Sequence, residues 1–270
     1  MTEAHTESAM EPGRRSAEDD QDMTFFEHLT ELRTRLLRCV MGLIPAIAIA
    51  WVYKEEIKDF LIEPLRPACK TLGFEPEACV LHVGHPAEAF MMYMKNSLLA
   101  GVLIAAPWLF WQLWGFISPG LYKREKLLAI PFIIASTLCF VGGAIFGYLL
   151  VFPEAFTGLL GFTDETLVPT LFAKEYMPFF RRMLLAFGVV FEVPVVVTFL
   201  AGAGIVTWQQ LLKFSRWWIV CAAFISMLLT PQDVYTMVMM LVPLIVLYFV
   251  GVGAAYLMSL FQSKKQTETP

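Results

Sequence analysis

The sequence predicts an all-α integral membrane protein of six transmembrane helices, and three observations carry that prediction. Hydrophobic residues make up 57% of the 270 residues and charged ones only 16%, where soluble domains carry about 25% charge. Mean hydropathy is +0.62, more apolar surface than one soluble core could hide. The scarce charges also cluster, and between the clusters lie uncharged runs long enough to cross a hydrocarbon core ~30 Å thick. The net charge of −4 decides little, because in a membrane protein the placement of charge matters more than its sum. Five scattered cysteines without a CxxC pair exclude a disulfide scaffold and a zinc site.

Residues 1–22 are polar and acidic and read as a disordered tail. Arg14-Arg15 lie in it, but Ala17-Glu18-Asp19-Asp20 follow instead of the apolar stretch that an export signal needs. From Phe25, apolar residues recur at helical spacing (Phe26, Leu29, Leu32, Leu36) with Glu31, Thr34, Arg35 and Arg38 between them. This amphipathic helix runs into an uncharged stretch, Cys39 to Tyr53, that is too short to span alone, so one continuous helix half on and half in the membrane is expected. The proline-rich, mostly acidic segment at about 54–90 reads as an outer loop. A second span ends near Phe116, before Ser118-Pro119-Gly120 and the basic turn Lys123-Arg124-Glu125-Lys126. A third runs from Leu127 to about Phe152 and leads to a second outer loop at about 153–180.

The fourth span is expected from after Arg181-Arg182 to about Val206, interrupted by Glu192 and kinked at Pro194. The fifth has only the apolar stretch Trp217 to Leu229, about 20 Å of helix. Either the bilayer thins around it or it lies within protein. The sixth covers about Val234 to Met258, so the six-helix domain is 23–258 and the tail 259–270. With both tails and the short basic turns inside, 12 of the 20 lysines and arginines face the cytoplasm, which places both termini there. Cys69 and Cys79 then share an outer loop, where they are either bonded to each other or two free thiols.

Five stretches match the TatC family of the twin-arginine protein translocase. They are FFEHLTELRTRLL at 25–37, EPL at 63–65, WQLWGFISPGLYKREK at 111–126, FGVVFEVPVVV at 187–197 and LLTPQDVYT at 228–236. The chain resembles that family over nearly its whole length and in the family's order, departing in its long N-terminal tail and in its outer loops. The resemblance implies six helices in a cupped, glove-like bundle in the bacterial inner membrane. It also implies recognition of twin-arginine signal peptides on folded cargo, TatA- and TatB-type single-span partners, self-association, and the proton-motive force as energy source. No cofactor, metal or nucleic-acid partner is expected, and no enzymatic activity.

Particular residues carry two readings each. Glu31 can pair with Arg35 one helical turn on, a contact that contributes only a few tenths of a kcal/mol. Glu125 can simply moderate the cations around it. Alternatively both receive the guanidiniums of a ligand, because carboxylate–arginine forks are bidentate and lysine does not reproduce them. The resemblance assigns that role to Glu31 and Glu125, with Phe116 shaping the site. Arg33 either holds Glu31 or a carbonyl, or anchors the helix to lipid headgroups. Glu192 lies near mid-membrane, where an acid costs at least ~2.5–3.5 kcal/mol. It either bonds a neighbouring helix or belongs, with Pro194, to a polar recess that contacts a partner. Asp233 either caps the sixth helix or makes a signal or partner contact.

The rival function is a proton-coupled secondary transporter with Glu192 as the coupling carboxylate, which would call for inverted repeats that the sequence does not show. No P-loop, GxSxG or HExxH is present, and Cys79, His82 and His85 lack a fourth metal ligand at suitable spacing.

Overall fold

A computed structural model describes residues 25–71, 80–117, 129–162, 170–230 and 233–267. Among them there is no strand, only an isolated bridge between His82 and Phe172. Six helical spans are long and apolar enough to cross a membrane: His28–Val52, Pro86–Ile117, Ile130–Leu160, Ala173–Gly202, Trp208–Leu229 and Val234–Leu260. Fold class and span count agree with the sequence reading. An even number of spans returns the chain to the side where it began, so the bundle has a terminal end, near Phe25 and Leu260, and a far end.

The first span, α1 (Phe25–Val52), is one continuous helix, as the phase of its apolar residues requires. Thr30 and Thr34 donate their hydroxyls to the carbonyls of Phe26 and Thr30, at 2.9 Å each, which satisfies both side chains within the helix. The second, α4 (Pro86–Ile117), packs along it through small residues. A Cβ on Gly101 would stand 2.6 Å from Ile47 Cγ1 and 3.0 Å from the Ile47 backbone nitrogen. Gly42 receives the indole of Trp108, whose Nε1 donates to the Arg38 carbonyl at 2.9 Å. Helices in lipid gain no hydrophobic advantage by meeting, so close approach of this kind holds the pair.

The segment expected as an outer loop contributes structure of its own. α2 (Lys54–Ile62), a 3₁₀ turn at Glu63–Leu65 and α3 (Arg66–Thr71) fold over the far end. Pro64 starts the 3₁₀ turn, and Leu61, Pro64, Leu65 and Ala68 are buried, so the EPL stretch is a packing element. Tyr176 donates its hydroxyl to the Leu61 carbonyl at 3.0 Å, and Tyr148 does the same to Phe60 at 2.8 Å. Beneath them lies an aromatic core in which Phe152 stacks on Phe180 at 3.9 Å between centroids. Cys69 is buried there and is disulfide-bonded, while Cys79, its expected partner, lies outside the described residues.

The third span continues past Phe152. After α5 (Ala129–Phe146) a π-helical turn, Gly147–Val151, leads into α6 (Phe152–Leu160). Pro153 is the second residue of α6, directly after the π-helical turn. The fourth span starts earlier than expected, with α7 (Ala173–Val190) including both Arg181 and Arg182. The Arg181 Nη1 donates to Asn96 Oδ1 at 2.8 Å, so this half-buried cation is carried into the helix instead of ending it. The chain then turns at Phe191-Glu192 and resumes as α8 (Val193–Gly202), with Pro194 in its first turn, which realises the predicted interruption.

The fifth helix, α9 (Trp208–Leu229), has 22 residues, longer than the 13-residue apolar stretch suggested. A capping box between Thr207 and Gln210 starts it about two and a half turns before the apolar part, and Lys213 and Arg216 sit within the helix. At 1.5 Å per residue it is about 33 Å long, enough to span. The sixth, α10 (Val234–Thr267), packs on α8 where Gly251 meets Pro194 and Val197, and on α9 where Trp218 stacks on Tyr248 at 4.9 Å.

Substituting Gly101→Val should force α1 and α4 apart and lower stability by about 1–3 kcal/mol, as overpacking does. The melting temperature of the detergent-solubilised protein checks this, and Gly253→Val, where an added Cβ meets nothing within 4 Å, is the control.

Candidate functional site

Two polar positions stand out in the bundle, and the last turns of α4 touch both. At the terminal end, the Glu31 carboxylate lies one turn before Arg35 on α1. Arg35 donates Nε to Glu31 Oε1 at 2.9 Å, and its Nη2 lies 2.8 Å from the same oxygen. The pair is about one-fifth exposed on each side, so it is neither a solvated surface contact nor sealed from a ligand. The Arg35 guanidinium rests against Gly115, where a side chain would overlap Nη1. Phe116 follows and stacks on His28 at 4.5 Å, with 27° between the rings. The heptad phase of α1 dictates this arrangement, since residues 28, 31 and 35 share one face and α4 lies against it.

Arg33 points elsewhere. It is exposed and makes no ion pair among the described residues, so Arg35, not Arg33, holds Glu31. Of the predicted set, the structure thus joins Glu31 and Phe116 through Arg35, Gly115 and His28. Glu125 lies outside the described residues. His28 was not singled out by the sequence reading, although its place three residues before Glu31 was a signal that could have found it.

Glu192 occupies the second position, in the turn between α7 and α8. It is half-buried, its Oε1 has no hydrogen-bond partner among the described residues, and Ser136 of α5 interacts with the carboxyl. The Ser136 hydroxyl in turn accepts a bond from Trp114 Nε1 at 3.0 Å. Trp114 packs on Phe132 and Phe199, with centroids at 5.1 and 4.7 Å, which walls the acid with aromatic rings. Gln112 and Glu88 of α4 each also have a buried Oε1 without a hydrogen-bond partner among the described residues. An unmet acceptor inside a membrane bundle is costly and marks a place where a donor from outside the chain can enter. Pro194 shapes the site by ending the helical hydrogen-bond run at the turn.

Asp233 is a helix cap. Its Oδ1 accepts from the Thr236 N–H at 2.7 Å and its Oδ2 from the Thr236 hydroxyl at 2.6 Å. It borders an open groove of about 710 Å³ at the far end, lined also by Arg182, Met227, Leu228 and Thr230. Among the described residues no group of three or more histidines, cysteines, aspartates and glutamates could hold a metal.

Comparisons with known proteins bear on the fold and the family. The family model described as Sec-independent protein translocase protein (TatC) matches residues 27–243. The chain is 40% identical over 250 residues to the Sec-independent protein translocase protein TatC of Desulforapulum autotrophicum, covering 93% of this chain and 89% of that one. It is 35% identical to the protein of the same name from Koribacter versatilis, covering 94% and 93% respectively. A crystal structure of the twin-arginine translocase receptor TatC superposes with a TM-score of 0.76 at 36% identity, covering 86% of this chain and all of that one. These matches give the secondary-transporter reading no support. The chain therefore belongs to the TatC family of Sec-independent protein translocase proteins, as a multi-pass protein of the bacterial inner membrane.

Proposed function

We propose that this chain is the subunit that receives twin-arginine signal peptides and, with TatA- and TatB-type single-span partners, exports folded proteins across the membrane. Its termini face the cytoplasm, so the Glu31 site opens toward newly made cargo. The observation that carries the reading is the Glu31 carboxylate, fixed at the interface beside Phe116 and only partly exposed. A guanidinium arriving from water finds there a charged acceptor at reduced dielectric, where a charge-assisted bond is worth more than in bulk water. Glu125, in the basic turn that follows Phe116, supplies the second carboxylate. Two acids for two arginines explain why lysine, with a point charge in place of a planar fork, is a poor substitute. Arg33, exposed beside the site, serves lipid headgroups or the peptide's flanking acids.

Glu192 serves partner docking. A polar side chain on a single-span partner completes its unpaired Oε1, and the burial of that pair in lipid favours association over separation. Pro194 keeps the turn open, and Asp233 fixes the start of α10 beside the far-end groove. No nucleotide motif supplies energy, so the proton-motive force drives transport, and copies of the chain associate in the receptor complex. At the far end, in an oxidising compartment, Cys79 closes the disulfide to Cys69 and ties the chain that follows α3 to the aromatic core.

A photocrosslinker at position 125 should label a twin-arginine signal peptide several-fold more than its Lys-Lys counterpart, and equal labelling would remove the specificity claim. Glu192→Leu should cut export at least tenfold while leaving signal-peptide binding unchanged; wild-type export by that variant would leave Glu192 a structural residue only. Alkylation of the denatured, unreduced protein should modify three thiols, Cys39, Cys139 and Cys221, and modification of five would rule out the disulfide.

A further inference from the structure

We propose that Arg35 is the positioning residue that presents Glu31 to an incoming guanidinium, an inference that rests on the receptor reading above. The atoms give its direction. Nε and Nη2 of Arg35 both meet the same carboxylate oxygen, Oε1, at 2.9 and 2.8 Å. A carboxylate offers two oxygens and about four lone-pair sites. Oε2 of Glu31 has no partner among the described residues and remains available. An arginine that forked across both oxygens would compete with the ligand, whereas one that grips a single oxygen fixes the carboxylate and leaves its other face for the ligand.

The grip is braced from behind. Nη1 lies where a side chain on Gly115 would stand, so the end of α4 backs the guanidinium, and the adjacent Phe116 closes on His28. Arg35 is thereby pinned between two helices, and through it Glu31 is held in one orientation before any peptide arrives. A flexible glutamate on a helix surface would have to give up rotamer freedom at the moment of binding, and this one has already done so. Lysine in place of Arg35 keeps the charge but has no planar fork with which to set the carboxylate's angle.

The test uses the full-length protein in lipid nanodiscs and a fluorescent twin-arginine signal peptide, with the Lys-Lys peptide as control. Arg35→Met should weaken twin-arginine binding about tenfold, and Arg35→Lys should recover only part of the loss. In a Glu31→Gln background, Arg35→Met should change nothing further, because its effect passes through Glu31. Gly115→Leu, which unseats the guanidinium while keeping its charge, should weaken binding as Arg35→Met does. Tighter binding by Arg35→Met would overturn the proposal, since Arg35 would then be a cap that the ligand displaces. A fold-loss on Arg35→Met that is as large in the Glu31→Gln background as in the unaltered protein would overturn it too, showing a purely structural contact between α1 and α4. Discrimination between the peptides with a silent Arg35→Met would sink the positioning role alone. Equal binding of both peptides by the unaltered protein would sink the receptor reading and this one with it.

Discussion

Hydrocarbon offers no partner to a polar group, and this constraint organises the bundle more than any single contact does. Several polar groups and helix ends within the spans are answered by the chain itself. Arg181 donates to the amide oxygen of Asn96 on another helix, the hydroxyls of Thr30 and Thr34 donate to the carbonyls of Phe26 and Thr30 one turn back, and Tyr248 donates to the Leu211 carbonyl at 2.7 Å. The ends of α9 and α10 are closed by Thr207 and Asp233. Against that background the buried Oε1 atoms of Glu192, Gln112 and Glu88 are exceptions, each without a hydrogen-bond partner among the described residues. On the proposed reading, the orphan acceptor of Glu192 is the one that a partner completes.

The last turns of α4 connect the two sites. Trp114 faces Ser136 and the Glu192 turn, Gly115 faces Arg35, and Phe116 faces His28. Three consecutive residues at 100° intervals around a helix address three directions. A shift of α4 along α1 would therefore be felt at both the carboxylate of Glu31 and the wall around Glu192. The α1–α4 contact resists such a shift, because Gly101 and Gly42 admit only one close register against Ile47 and Trp108. The single register of the pair therefore fixes how the two sites stand relative to one another.

The spans were legible in the sequence because lipid imposes a length and forbids charge, and both are visible residue by residue. The interruption at Glu192-Pro194 and the cap at Asp233 were legible for the same reason, being local chemistry. What escaped was set by partners distant in the chain. Arg181 looked like the end of a span because its partner, Asn96, lies 85 residues away. The acidic segment after α1 looked like a loop because the faces of α2 and the 3₁₀ turn that bury Leu61 and Leu65 have meaning only against the core around Tyr176. The fifth helix looked short because its apolar part is short, while the capping box that extends it by about two and a half turns lies on the polar side of Lys213.

Glu31 shows why a modest contact can matter more for function than for stability. As an i,i+4 ion pair at the interface, its bond to Arg35 contributes only a few tenths of a kcal/mol to the helix, since both groups keep part of their hydration when apart. The same bond restricts the carboxylate to one direction, and restriction matters only when something must dock there. A pair selected for stability alone would do as well with lysine at position 35, where the geometry of the fork is lost but the charge remains. The seat at Gly115 fits a planar guanidinium and leaves no room for a side chain of its own. The terminal end of the bundle is thus built to hold one arginine in place, and on the proposed reading the carboxylate oxygen left over takes another.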